Sequence, residues 1–173
     1  MAEKALTMIY EAKDIIEQAR SPASFQGEGT SRPRREGETE SQASHRDALY
    51  APAERLLNQR EFFMALNAFR YRLVALFGWD AAAPVETIFR ARAKVLSAAR
   101  MLTSFPDHAP APPDLRQRLE RDIWSIGDKD DLIKHEVDEA VAKLESICRP
   151  ALTEEPRPPI WRVSLAWWRS RFG

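Results

Sequence analysis

Four polar residues in the last third of the chain have the types and spacing of a helical metal site. Asp131, His135, Asp138 and Glu139 fall on one face of a helix, where carboxylates and an imidazole could bind a divalent cation. Metal sites in helical bundles usually draw a Glu-x-x-His pair from each of two helices, and the other two histidines fall in predicted loops. The polar face also lies opposite the apolar stripe of its own helix. We therefore expect a solvated, charged surface and no bound metal.

A second candidate is the glycine- and arginine-rich segment at residues 21–46, SPASFQGEGTSRPRREGETESQASHR. Its GEG glycines could offer backbone N–H groups to a phosphate, with Arg32, Arg34 and Arg35 close by. The P-loop and dinucleotide patterns are absent, however, and no predicted strand precedes the glycines. Few large apolar residues occur in the segment, so its composition favours a disordered or loosely draped linker.

Nucleophilic and acid–base chemistry have little support in the sequence. The single cysteine, Cys148, belongs to an apolar helical stripe, where a small core residue is expected rather than a nucleophile. There is no nucleophile elbow, HExxH, CxxC or P-loop pattern. Catalysis requires titratable groups positioned together in a cleft. The sequence predicts a protein without catalytic activity, cofactor or small-molecule substrate.

The C-terminal segment, PPIWRVSLAWWRSRFG, has the most unusual composition of the chain. Three of the five tryptophans lie within eight residues, and residues 157–173 contain four arginines and no acid. On a helix, its apolar residues would align on one side with two arginines at the edge. The residues concerned are Trp161, Arg162, Leu165, Trp168, Arg169 and Phe172. Tryptophan beside arginine is typical both of membrane interfaces and of protein-binding hot spots. Three alternatives follow: docking on the chain's own bundle, binding a protein partner or second subunit, and attachment to a membrane surface.

Composition narrows the class of protein. The 173 residues include 26 basic and 26 acidic side chains, which argues against a protein built to bind nucleic acid. A single cysteine excludes an internal disulfide and fits a reducing compartment. No apolar run approaches the length of a membrane span, and the first residues lack the apolar core of a signal peptide. We expect a cytoplasmic protein, with the inner face of a membrane as the alternative location.

The elements that must position these residues are helices. The stretch REFFMALNAFRYRLVALFGW, residues 60–79, has two apolar surfaces at helical spacing. One contains Phe62, Leu66, Phe69, Leu73, Leu76 and Phe77, and the other contains Phe63, Met64, Tyr71 and Val74. A helix that is apolar on more than one side is usually buried. We expect a central helix over residues 51–77, with Pro52 in its first turn and Gly78 just past its end.

Amphipathic patterns predict four further helices. They span about residues 3–20, 84–102, 114–127 and 131–149, with Asp114 as an N-cap and Pro150 as a stop. The second of these is basic and the fourth acidic, so we expect them to lie side by side. The predicted fold is all-α, a bundle of four to five helices over residues 1–152. Residues 153–173 form a linker and the Trp/Arg-rich amphipathic segment.

Three segments resemble a loose set of uncharacterised bacterial helical proteins. They are YEAKDIIEQARSPASFQGEGTSRPRREGETES, AFRYRLVALFGWDAA and SICRPAL. Some of those proteins carry an apolar anchor before their first helix, whereas this sequence starts within a predicted amphipathic helix. The resemblance therefore adds only slightly to the membrane-associated alternative. It implies no activity and no catalytic residue. The sequence thus favours a non-catalytic interaction module that contacts a protein partner, or itself, through the C-terminal segment or the 21–46 loop; a peripheral membrane protein is the alternative.

Overall fold

The chain is built from α-helices, as a computed structural model of the protein shows. The structure describes residues 1–23, 25–106, 109–125 and 131–153, and in these ranges it contains no strand. The helices are α1 (Ala2–Ala19), α2 (Glu40–Asn58), α3 (Arg60–Phe77), α4 (Ala82–Ser104), α5 (Pro113–Ile123) and α6 (Leu132–Thr153). A 3-10 turn, Trp79–Ala81, joins α3 to α4. The all-α prediction is confirmed, but the described residues hold six helices rather than four or five.

The first and last of these helices pack against each other. Small and branched residues of α1, at the spacing that the sequence indicates, bury one side of the helix; they are Ala5, Ile9, Ala12 and Ile16. Alanine lets the two helix backbones approach closely. Polar contacts flank the seam, with Tyr10 donating to the Glu145 carboxylate and Lys13 Nζ 2.5 Å from Asp138 Oδ1. The α1–α6 pair therefore closes the bundle.

The predicted central helix is wrong in both extent and position. Residues 51–77 belong to two helices, which break at Gln59. The helix that contacts all five others is α4, which buries residues along most of its length. By contrast, α3 buries only four of its 18 residues, Phe63, Leu66, Phe69 and Leu73, and lies at the edge of the bundle. Neither predicted surface is buried as a unit: Phe63 of the second is buried while Met64 and Tyr71 are exposed, and Leu76 of the first is exposed. Periodicity shows where apolar residues align but not which side a neighbour covers.

Helix α2 begins at Glu40, eleven residues before residue 51, where the predicted central helix starts. Thr39 accepts a hydrogen bond from the Gln42 backbone N–H at 3.3 Å, and the Gln42 side chain accepts one from Thr39 N–H at 2.9 Å. This reciprocal capping box satisfies two N–H groups that a helix start leaves unpaired. Pro52 is therefore inside α2 and not in a first turn. The helical start also shortens the expected 21–46 loop, which ends at Thr39.

Helices α5 and α6 have bounds that differ from the prediction, and α5 ends at Ile123 rather than near residue 127. The expected pairing of the basic and acidic helices is observed. Helix α5 starts at Pro113, so Asp114 lies in its first turn and is not the N-cap. The negative charge of Asp114 interacts favourably with the helix dipole there. Helix α6 continues past Pro150 to Thr153, so the proline lies inside the last turns and does not stop the helix as predicted. The basic α4 and the acidic α6 do lie side by side, and Lys94 Nζ is 2.6 Å from a Glu136 carboxylate oxygen.

Candidate functional site

The six C-terminal residues that the sequence singles out lie outside the described part of the chain. These are Trp161, Arg162, Leu165, Trp168, Arg169 and Phe172. The candidate surface that the structure does show is on α3. Four large apolar side chains in this region are exposed to solvent: Met64 at 61%, Tyr71 at 64%, Leu76 at 57% and Trp79 at 83%.

Four of the exposed residues of α3 follow a regular spacing. Met64, Ala68, Tyr71 and Ala75 are separated by four, three and four residues, and all four are exposed. This is the spacing of a coiled-coil seam, in which two apolar positions repeat every seven residues. No charged residue lies within the line itself, and the exposed Arg72 flanks it on the side of Leu76. We refer to these four residues as the α3 stripe; Leu76 and Trp79 extend the apolar surface beside and beyond it.

The opposite side of α3 holds the helix firmly in place. The Phe63 ring packs edge-on against Phe89 with centroids 6.0 Å apart, and the Arg92 guanidinium carbon lies 4.6 Å from the Phe63 centroid. Burial lowers the pKa of Arg92, and the Arg92 Nε–H has no hydrogen-bond acceptor among the described residues. The α3 stripe therefore lies on a helix whose opposite side is packed against the bundle.

One member of the α3 stripe is held by a neighbouring cation. The Arg70 guanidinium carbon lies 5.1 Å from the Tyr71 ring centroid, and an Arg70 Nη is 3.2 Å from a Glu86 carboxylate oxygen. Contact of an arginine with an aromatic ring stabilises both side chains modestly at an exposed site. The Tyr71 ring is thus partly ordered before any partner arrives, which lowers the entropy lost on binding.

The 21–46 segment is not a loosely draped linker in the structure. Arg32 is 2.6 Å from an Asp47 oxygen and 2.9 Å from a Glu38 oxygen, and Arg46 also pairs with Glu38. The Glu38 side chain is 2% exposed. Hydrogen bonds from Arg32 and then Arg46 lower the pKa of Glu38 to about 2. We call Arg32, Glu38, Arg46 and Asp47 the loop cluster. Composition alone treats these charges as solvated, whereas here they neutralise one another.

The glycine cradle of the same segment is already filled. The backbone N–H groups of Gly29 and Ser31 donate to the Glu54 carboxylate at 2.5 and 3.0 Å. These are the donors that a phosphate would need, and a carboxylate of α2 takes them. Gly29 has φ +78° and sits so close to the α2 backbone that a Cβ atom would lie 1.8 Å from the Asp47 carbonyl oxygen. This segment has the geometry of a docked loop rather than an anion site.

Two of the four residues considered for metal binding, Asp131 and Asp138, form ion pairs with basic side chains. Asp131 is buried, not solvated, and its carboxylate lies 2.9 Å from an Arg20 Nη. Asp138 pairs with Lys13 and Lys134. Across residues 1–23, 25–106, 109–125 and 131–153, no three His, Cys, Asp or Glu side chains are grouped to hold a metal ion.

Arg20 was missed by the sequence analysis, although its side chain is almost completely buried. Besides the Asp131 pair, its Nε–H donates to the Asp122 carbonyl at 2.9 Å, and an Nη donates to the Arg121 carbonyl at 2.8 Å. Carbonyl groups at a helix C-terminus lack partners within the helix, and a buried arginine satisfies them here. Arg20 therefore joins α1 to α5 and to the start of α6. No local sequence signal marks this role.

A groove between α4 and α6 has a charged lining. It has a volume of about 410 Å³ and is lined by Arg90, Lys94, Glu136, Glu139 and Lys143, among others. Lys94 and Glu136 pair across it, with their side chains 44% and 39% exposed. Exposed, mutually paired charges are ordinary for a solvated helix face.

The cysteine is enclosed rather than accessible. Cys148 is fully buried, as its apolar stripe predicts, and burial raises the pKa of its thiol. A thiol is nucleophilic only as the thiolate. Cys148 is therefore a packing residue of the α6 core face.

Comparison with protein-family models, with curated proteins and with solved structures found no significant match to the chain. The resemblance to bacterial helical proteins accordingly stays an expectation from the sequence. Within the described ranges, no helix has the length and apolar character needed to cross a membrane.

Proposed function

We propose that the protein is a non-catalytic helical-bundle interaction module whose main contact site is the α3 stripe. The observation that carries the proposal is the exposure of Met64 and Tyr71, one seven-residue repeat apart, on a helix whose other side is buried. Single exposed apolar side chains are common on proteins. Several aligned on one helix, with alanines between them, form a surface that a second helix can cover closely.

The free energy available from covering the α3 stripe is moderate. Burying a methionine or a similar apolar side chain contributes roughly 1.5–3 kcal/mol. A partner helix that covers Met64 and Tyr71 would recover this amount at both positions. Alanines at 68 and 75 allow its backbone to approach, as small residues do at close helix contacts. The partner that fits is an amphipathic helix with a narrow apolar face.

The deeply buried charges support a non-catalytic function. In the described residues, the charges of the loop cluster pair among themselves and Arg20 pairs separately with Asp131, and these contacts hold helices and loops in place. A catalytic acid or base must instead be positioned to exchange protons with a ligand. These charges thus act in the fold.

The C-terminal segment would provide a second contact. Its residues Trp161, Leu165, Trp168 and Phe172 favour a protein or a membrane surface on composition alone. Attachment to a membrane by this segment is the alternative function. A single amphipathic segment of this length binds lipid only marginally, which makes it the weaker proposal.

A photo-cross-linking experiment tests the proposed function. Tyr71 is replaced by p-benzoyl-phenylalanine, and in a matched control Leu132, which is 72% exposed on α6, is replaced in the same way. The full chain is irradiated in cells that produce it. We expect a discrete polypeptide adduct from position 71 that position 132 does not give. Equal, diffuse labelling from both positions would refute a specific site on α3.

Vesicle binding tests the alternative function. The full chain and a chain lacking residues 156–173 are sedimented with vesicles containing anionic lipid. Binding that depends on the C-terminal segment, together with no specific adduct at Tyr71, would replace the interaction module by the membrane protein. The absence of binding by either chain would remove the membrane alternative.

A further inference from the structure

We propose that the occupant of the α3 stripe is a second copy of this chain, with the two α3 helices antiparallel. This inference rests on the proposed function and names its partner. In the register centred between Ala68 and Tyr71, each Ala68 faces the other copy's Tyr71, and each Met64 faces the other copy's Ala75. A large side chain thus meets a small one at all four positions, which is the alternation that close packing requires.

The parallel arrangement lacks this fit. It would set Met64 against Met64 and Tyr71 against Tyr71, with the alanines leaving gaps between them. It would also bring the two Arg60 side chains together. The antiparallel arrangement additionally opposes the helix dipoles, which favours it electrostatically. The spacing of large and small residues therefore specifies the direction of the second helix.

The charges at the two ends of α3 are complementary in the same register. Arg60 of one copy comes to the same end as Trp79 and Asp80 of the other. All three are exposed, and in the described part of the chain no acidic group pairs with Arg60 and no basic group pairs with Asp80. A guanidinium can contact an indole ring and a carboxylate at once. The ring of Trp79, 83% exposed, would be covered in the dimer.

The size of the surface predicts a weak dimer. Helix α3 has 18 residues, so it is roughly 27 Å long. Standard stable interfaces bury about 800 Å² per partner, and one helix with the Trp79 ring covers less than this. We therefore expect a dissociation constant of about 10–100 µM. Such a dimer exchanges readily, so the same stripe remains accessible to competing helices.

Sedimentation velocity tests the existence of the dimer. The full chain is measured over about 5–500 µM, a range that spans the expected constant. We expect the dimer fraction to rise with concentration, and Tyr71→Glu to weaken association at least tenfold. Leu132→Glu, at a comparably exposed position on α6, should leave association unchanged. Both variants should keep the wild-type circular dichroism, since neither side chain is buried.

Disulfide trapping tests the geometry. Met64→Cys and Ala75→Cys chains, one carrying an affinity tag, are mixed in equal amounts and oxidised; Cys148 is buried and does not interfere. The antiparallel dimer predicts the mixed disulfide in excess over both homodisulfides. Preferential Met64→Cys homodisulfide would overturn the proposal.

The outcomes separate this inference from the function on which it depends. A chain that stays monomeric to the highest concentration refutes self-association. If Tyr71 then still cross-links to a different polypeptide, the interaction module stands and only the identity of its partner is wrong. Association that Tyr71→Glu leaves unchanged places the contact elsewhere and overturns the α3 dimer.

Discussion

Replacing Glu38 with glutamine removes the negative charge that two buried arginines share. Arg32 keeps its bond to Asp47, but the excess positive charge in the loop cluster loses its compensation. Breaking a buried ion pair costs about 3–5 kcal/mol. Glutamine keeps the size of the side chain and one acceptor oxygen, so we expect the lower end, about 3 kcal/mol. This is a large fraction of a typical domain's stability.

The pH dependence of the effect follows from the pKa of Glu38. In the unfolded chain this carboxyl titrates near 4.5, and in the folded chain near 2. A lowered folded-state pKa stabilises the fold fully above the unfolded value, and this contribution is lost as the pH falls toward the folded value. The stability difference between the wild type and Glu38→Gln should therefore be constant above about pH 5 and shrink steadily between about pH 4.5 and 2.

Urea unfolding at a series of pH values measures this difference. Glu36→Gln is the matched control, because it is the same substitution two residues away. The Glu36 side chain is exposed and has no described partner. We expect the control to change stability by less than about 0.5 kcal/mol. Equal effects of the two substitutions, or a Glu38→Gln effect that persists undiminished at pH 2, would refute the loop cluster as a stabilising element.

Three further perturbations test the loop, the bundle and the core. Gly29→Ala should destabilise the fold by more than about 2 kcal/mol in urea unfolding, because its Cβ would meet the Asp47 carbonyl. Gly27→Ala, at φ +94° but in open space, should cost only about 1 kcal/mol. Arg20→Met leaves a buried carboxylate unpaired; we expect a loss of about 3–5 kcal/mol and faster amide hydrogen exchange in α5. The Cys148 thiol should react with a thiol reagent only as fast as the protein opens, because burial raises its pKa and blocks access.

Each of these expectations has a contradicting result. Equal costs for the two glycine substitutions would mean that the loop does not dock on α2. An exposed arginine of α5, Arg118, serves as the control for Arg20, and Arg118→Met should change neither stability nor exchange. Immediate, complete modification of Cys148 in the native protein would contradict its burial.

The buried face of a helix could be predicted where apolar residues lie on one side only. It could not be predicted where they lie on two sides. The stripe of α1 has apolar residues on one side alone, so its buried face followed directly from the spacing. Helix α3 has apolar residues on two sides, and periodicity cannot rank them. The deciding difference is size: the covered side holds two phenylalanines and two leucines, and the exposed side includes alanines. The Thr39-x-x-Gln42 capping signature was also present in the sequence and marks the start of α2.

Long-range pairing of charges could not be inferred from composition. Arg32 and Asp47 lie 15 residues apart, and Arg20 reaches carbonyls more than 100 residues away. Each charge, taken alone, predicts exposure. Only the fold brings the partners together, so a segment with the composition of a disordered linker has an internal charge network. The candidate interaction site was overlooked for a similar reason, since an exposed stripe and a buried one have the same spacing.

The pairing of α1 with α6 has a consequence during synthesis. Tyr10 and Glu145 are separated by 135 positions, and a ribosome adds roughly 5–20 residues per second. For roughly 7–27 seconds, the alanine and isoleucine side of the nascent first helix has emerged before its main covering helix exists. During that interval α2, which also contacts α1, is the earliest-synthesised helix that can cover part of this surface.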